Sequence, residues 1–200
     1  MARSAWVSGW HNAAVDAGPA PESALDELRR ANPLLQIPTL VWDDGTVMTE
    51  SAAILIELGL RYPASGLLPA PPAARAQALR GLVYIAANCY AMIGVIDFPD
   101  RVIGTPSETE LQRINRRCRD RLHTLWDVFA DQFVPATGPA FLAGEAPGAL
   151  DLLTTVVSRW SGTGTRAHLT TARPALSDLF GRVAAHDKLA PVFQKHWPAP

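Results

Sequence analysis

Gln36-Ile37-Pro38-Thr39-Leu40-Val41-Trp42, then Asp43-Asp44-Gly45, then Thr46-Val47-Met48-Thr49-Glu50-Ser51-Ala52-Ala53-Ile54-Leu55, is the stretch on which the fold turns. Asp44-Gly45 is a strong hairpin signal between the runs Thr39–Trp42 and Thr46–Met48. The spacing then predicts a helix from about Glu50 to Leu60, with Thr49 as its N-cap and Ile54, Leu55 and Leu58 on its apolar face. Strand, turn, strand and helix in this order bring a backbone edge, a helix N-terminus, a carboxylate and a hydroxyl toward one small anionic ligand. The plain alternative is that Thr49, Glu50 and Ser51 only cap the helix and answer its dipole.

Upstream, Ser23 is expected to cap a short helix through Leu25, Leu28 and Arg29, which Asn32-Pro33 stops because a residue before proline avoids the helical region. Residues 1–16 are ambiguous: Trp6, Trp10 and Ala14 fit a helical period, and Trp6 and Val7 fit a short strand equally well. Downstream, Tyr62-Pro63 ends the helix and Pro69-Ala70-Pro71-Pro72 reads as a linker. Five helices are expected beyond it. The first carries the stripe Leu79, Leu82, Val83, Ala86, Tyr90 and Ile93. The second steps through Leu111, Ile114, Cys118, Leu122, Leu125 and Phe129 behind a cap at Ser107. The third runs from about Ala149 to Trp160, where Gly162 and Gly164 break it. The fourth starts at Arg173-Pro174, and the fifth carries Leu189, Val192 and Phe193. The chain reads as a small α/β unit over residues 1–66 followed by an all-α bundle over residues 73–200.

Composition narrows the function classes. Of 200 residues, 48% are hydrophobic and 18% charged, with a net charge of -1, so there is no overall pull toward nucleic acid or anionic membrane. No apolar run reads as long enough to span a bilayer, and the first residues lack the apolar core of a signal peptide. Cys89 and Cys118, the two cysteines, sit in helical patterns and make no disulfide framework, which points to a reducing, cytosolic setting. They read as small core residues rather than nucleophiles. No Cys/His spacing suits a metal, and there is no GxGxxG or P-loop. Arg113, Arg116, Arg117, Arg119 and Arg121 form a basic run interspersed with acids, read as a solvated, salt-bridged helix face. Tyr90, Trp126 and Trp160 read as packing, with Tyr90 and Met92 as the alternative lining of a cleft for an apolar substrate.

The layout resembles the glutathione transferase superfamily. The residues that carry it are Asn32-Pro33, Gln36-Ile37-Pro38-Thr39-Leu40, Asp44-Gly45, Glu50-Ser51-Ala52-Ala53-Ile54-Leu55 and Arg61-Tyr62-Pro63, with Phe141-Leu142-Ala143-Gly144 and Ala149-Leu150-Asp151 in the helical half. The resemblance covers roughly residue 24 to the end. It implies a thioredoxin-like glutathione-binding domain and a glutathione-transferase-type C-terminal bundle. It further implies a cis Ile37–Pro38 bond that presents the backbone of Ile37 to the cysteinyl part of glutathione, with Glu50 and Ser51 on the γ-glutamyl end. Ile37, Pro38, Glu50 and Ser51 are therefore the expected binding residues. Glutathione is the implied co-substrate and a small electrophile the second partner. A cytoplasmic homodimer is implied, with no metal, nucleic acid or membrane.

Two departures from the family pattern stand out. Only 37 residues precede Pro38, and the family's strand-helix-strand start needs ~30 or more before its next helix and loop. The thioredoxin-like domain is thus expected to be incomplete, with its first strand and helix lacking or replaced. Ala13-Ala14-Val15-Asp16 then falls near the second strand and residues 1–9 at the tail of the first helix or in its place, with residues 4–8 as a makeshift first strand the alternative. The family's thiolate-stabilising Ser, Tyr or Cys comes from that region; no residue matches it, so the catalytic residue is unknown. Ser4, Ser8 and His11 are nearby groups of the right chemical type. The second departure is Gly148, where the family has Ser or Thr three residues before the Asp; the lost hydroxyl is expected to weaken the helix start by on the order of 1 kcal/mol. Three readings follow. The chain is a glutathione-dependent conjugating or isomerising enzyme; it is a catalytically impaired relative acting as a glutathione-binding or protein-interaction module; or its first strand is encoded upstream of Met1.

Overall fold

The computed structural model describes residues 22–135 and 137–198. The expectations for residues 1–16, including the strands at 4–8 and 13–16 and the candidates Ser4, Ser8 and His11, lie outside them. The chain divides into two compact units, Met1–Leu58 and Gly59–Pro200.

In the first unit, α1 (Glu22–Ala31) stops directly before Asn32-Pro33, as the proline requires. It starts at Glu22, one residue before the expected cap position. The hairpin pairs β1 (Leu40–Val41) antiparallel with β2 (Val47–Met48), with Leu40 opposite Met48 and Val41 opposite Val47. Its turn is closed by the Gly45 N–H donating to the Trp42 carbonyl at 2.9 Å and the Trp42 N–H donating to the Thr46 carbonyl at 2.9 Å. The Asp44 carboxylate accepts from the Thr46 N–H at 2.9 Å, and Gly45 takes φ 83°, a left-handed value that costs glycine little. Leu28, Trp42, Ala52 and Ile54 are buried here, so both α1 and α2 (Ser51–Arg61) contribute an apolar face to the core.

The second unit is helical throughout. Pro72 starts a continuous helical path of α3 (Pro72–Tyr84), a π-helical segment (Ile85–Tyr90) and α4 (Ala91–Asp97). No charged residue lies between Arg80 and Asp97. By length and composition the path is apolar enough to cross a membrane, which corrects the sequence expectation that no such run exists. Within this unit the path packs against α6 (Glu108–Phe133) and α7 (Ala149–Trp160), and Leu82, Ile85, Cys89 and Ile93 line its buried side. The short α5 (Asp100–Ile103) joins α4 to α6. Ser107 caps α6 in a full capping box: its hydroxyl accepts from the Glu110 N–H at 3.4 Å while the Glu110 carboxylate accepts from the Ser107 N–H at 2.9 Å.

After α7 the chain forms α8 (Gly162–Ala172), α9 (Pro174–Ala185) and α10 (Ala190–His196). α8 is one helix more than the periodicity suggested. Gly162 (φ 80°) makes a corner after Ser161, and the helix resumes at once instead of giving way to a loop. The α6 arginines are exposed as expected, yet none of the five forms an ion pair among the described residues. The acids Asp127 and Asp131 of α6 pair instead with His168 and Arg173. The expected fold class holds: a small α/β unit and a helical bundle.

Candidate functional site

The loop between α1 and β1 is held from inside by two buried polar residues. Asn32 donates through Nδ2 to the Gln36 carbonyl at 2.9 Å and to the Thr39 hydroxyl at 3.3 Å, and its Oδ1 accepts from the Leu34 N–H at 3.1 Å. The Thr39 hydroxyl donates to the same Gln36 carbonyl at 2.9 Å. Asn32 and Thr39 are 5% and 6% exposed, so these bonds answer nearly all the polarity that folding takes from water. They frame Pro33–Pro38, in which Leu35 takes φ 54° and the Ile37–Pro38 peptide bond is cis, as the resemblance implied. Sequence reasoning read Asn32 only as a helix stop and Thr39 only as a strand residue. A pair of hydrogen-bonding side chains bracketing the Pro33–Pro38 segment was the available signal.

The hairpin register brings the expected binding residues to one end. Pairing stops at Leu40–Met48, so Ile37-Pro38, which precede β1, and Glu50-Ser51, which follow β2, flank the same open end of the antiparallel hairpin. Among the described residues no hydrogen bond engages the Ile37 N–H or carbonyl.

The end of α2 that faces this site differs from the expected cap. The Ile54 N–H donates to the Glu50 carbonyl at 2.9 Å, which makes Glu50, not Thr49, the N-cap residue. Glu50 holds φ 64°, a left-handed value uncommon for a residue with a side chain. Among the described residues, neither the Glu50 carboxylate nor the Ser51 hydroxyl has a hydrogen-bond or ion-pair partner. The first turn of α2 carries no acidic residue. Its leading N–H groups are thus unanswered by any side chain, and an anion there would meet both the donors and the positive end of the helix dipole.

In the second unit, Asp151 is fully buried and accepts three backbone N–H bonds, from Leu142 at 2.8 Å, Ala143 at 3.2 Å and Gly148 at 3.0 Å. Burial lifts its carboxyl above the ordinary range, and the three donors pull the other way. This is half a capping box: the carboxylate reaches back to the N-cap, and the N-cap has no side chain to return the bond. Gly148 is there for space. A Cβ on it would lie 2.5 Å from the Ala143 Cβ and 2.9 Å from the Leu67 carbonyl, which accepts from the Ala149 N–H at 2.8 Å. The expected weakening of the helix start is therefore offset by a backbone contact that only glycine permits.

Neither cysteine is a nucleophile by environment. Burial pushes the Cys89 thiol up to about 12 and raises Cys118 as well, which keeps both protonated near neutrality. The Tyr84 hydroxyl donates to the Leu125 carbonyl at 2.8 Å and is also raised by burial. Tyr90 packs on Trp160 with ring centroids 5.5 Å apart, and Trp126 donates from Nε1 to the Ser161 hydroxyl at 3.2 Å.

Residues 8–61 match the family model of the glutathione S-transferase N-terminal domain. The uncharacterized GST-like protein YncG of Escherichia coli K12 is 39% identical over 77 residues, which span 37% of this chain and 36% of YncG. Among solved structures, a glutathione transferase homolog from Sulfitobacter with bound glutathione is similar with a TM-score of 0.71 and 20% identity, over 84% of this chain and 78% of that one. The glutathione S-transferase from Xylella fastidiosa gives a TM-score of 0.70 at 22% identity, over 86% of this chain and 80% of that one. These structures share the fold. Residues 8–61 are the part that matches the glutathione S-transferase N-terminal domain family, and the described chain as a whole shares the glutathione transferase fold.

Proposed function

We propose that the open end of the hairpin binds glutathione, and that the chain uses the bound thiol to conjugate or rearrange a small electrophile. What supports this reading is that Ile37-Pro38 and Glu50-Ser51 flank the same open end of the β1–β2 hairpin, with both side chains of the Glu50-Ser51 pair left unengaged among the described residues. The Ile37 N–H and carbonyl pair with the cysteinyl backbone as an added strand does. The Ser51 hydroxyl and the first N–H groups of α2 donate to the γ-glutamyl carboxylate. The Glu50 carboxylate accepts from the ligand's ammonium. The Sulfitobacter homolog, solved with bound glutathione, lends the ligand its chemical identity.

In the conjugation step the glutathione thiol loses its proton to solvent, and the thiolate attacks the electrophilic carbon. A carbon–sulfur bond forms, and the leaving group departs with its electron pair. Binding places sulfur and carbon within reach of each other, which removes much of the entropic barrier. In this reading residues 1–66 form the glutathione-binding domain of a cytoplasmic homodimer.

Isothermal calorimetry tests the binding: Ser51→Ala should weaken glutathione by roughly tenfold, the loss of about one charge-assisted hydrogen bond, with thermal stability unchanged. Unaltered affinity would place glutathione elsewhere. Turnover of an activated aryl halide with glutathione tests the chemistry. Binding with turnover at the uncatalysed rate would identify a non-catalytic glutathione-binding module.

A further inference from the structure

The second unit holds a cluster of titratable groups outside the proposed glutathione site. His123 on α6 and His168 on α8 stack face to face, with ring centroids 4.4 Å apart and planes 2° from parallel. His168 Nε2 lies 3.0 Å from Asp127 Oδ1, the same oxygen that accepts from Arg173 Nε at 2.9 Å. Arg173 extends to Asp131 through two further bonds, at 2.7 and 3.3 Å. His123 has no such partner: its Nε2 is buried and makes no hydrogen bond. One imidazole is thus provided with a counter-charge and the other is not.

We propose that the stacked His123–His168 pair is a proton-operated latch between α6 and α8, closed while His123 is neutral and released when both imidazoles carry a proton. A single charge is tolerated, because His168 faces the Asp127 carboxylate. A second charge sets two cations face to face and leaves a buried N–H donor without an acceptor, at a cost that falls on the α6–α8 contact.

The groups acting on His123 are few. Burial holds its imidazole below the ordinary range, followed by the charge of His168 on α8; Arg119 on α6 adds to this, and Asp120 and Asp127 on α6 oppose it. Arg173, at the corner between α8 and α9, is taken up by Asp127 and Asp131. Arg166 of α8 turns to the Arg159 carbonyl at 3.1 Å. No charged group of α3, the π-helical segment or α4 acts on the ring. A histidine lowered by folding takes up its proton only on opening. The latch is therefore fully closed above the free-chain value of about 6.5, and it weakens as pH falls from there toward the folded value. One linked proton changes the opening equilibrium by at most about tenfold per pH unit.

Hydrogen–deuterium exchange on the intact protein at pH 7.5 and 5.5, corrected for the pH dependence of intrinsic exchange, measures the opening of Gly162–Ala172. In the unmodified chain the opening should rise by up to about tenfold on acidification. His123→Phe keeps a stacked ring and removes the proton, so its ratio should stay near one. Equal ratios in the two chains would overturn the latch. If His123→Phe does not fold, His123→Gln serves in its place with the same expectations. An NMR titration of the unmodified protein gives an independent reading: a His123 imidazole that titrates at or above its free-chain value of about 6.5 would also overturn it.

Discussion

At the scale of single residues, Glu50 is the position where stability and the proposed glutathione binding pull apart. Its φ of 64° is one that glycine adopts freely and a residue with a Cβ reaches at a cost of about 1 kcal/mol. Among the described residues no hydrogen bond or ion pair of its side chain offsets that cost. Glu50→Gly is accordingly expected to leave urea stability unchanged or raise it by up to ~1 kcal/mol, while glutathione affinity falls. A loss of stability would show that the Glu50 carboxylate supports the fold itself. The Glu-Ser pair was legible in the sequence. The left-handed turn at Glu50 was not, because it depends on how β2 delivers the chain to α2. Asn32 and Thr39 were hidden for a similar reason: their bonds to Gln36 exist only once the loop has closed.

At the scale of elements, the entrance to α7 shows how a local rule yields to packing. Pattern alone says that Ser at 148 would complete a capping box with Asp151 and add about 1 kcal/mol. The structure reverses the sign, because the Ala143 Cβ and the Leu67 carbonyl already occupy the volume a side chain needs. Gly148→Ser should destabilise by roughly 1–3 kcal/mol in chemical denaturation, the usual range for overpacking. A stabilised variant would mean that the segment around Leu67 moves aside readily. Elsewhere the elements were well written. Ser107 announced the start of α6, and Pro174 announced α9. α8 was missed because Gly162 and Gly164 read as a break. Gly162 turns the chain at φ 80°, and α8 is then held by α6, α7 and α9 rather than by its own propensity.

At the scale of the whole molecule, ligand binding and folding are linked. A ligand that binds only the folded chain stabilises it by about 2.7 kcal/mol at a concentration of one hundred times its dissociation constant. A thermal scan with saturating glutathione should therefore raise Tm by several degrees, and Ser51→Ala should shift the concentration needed by about tenfold. A Tm indifferent to glutathione would count against the site. The sequence by itself determined the hairpin, most helix starts and stops and the resemblance that implied the cis proline, because these depend on short-range signals: a proline, a turn glycine, a helix start. Only the tertiary structure decided that Glu50 rather than Thr49 caps α2, that Gly148 is required for space, that α8 exists, and that His123 and His168 meet across 45 residues of sequence. Each of these depends on what a distant segment places beside the residue, and that is settled by packing rather than by neighbours along the chain.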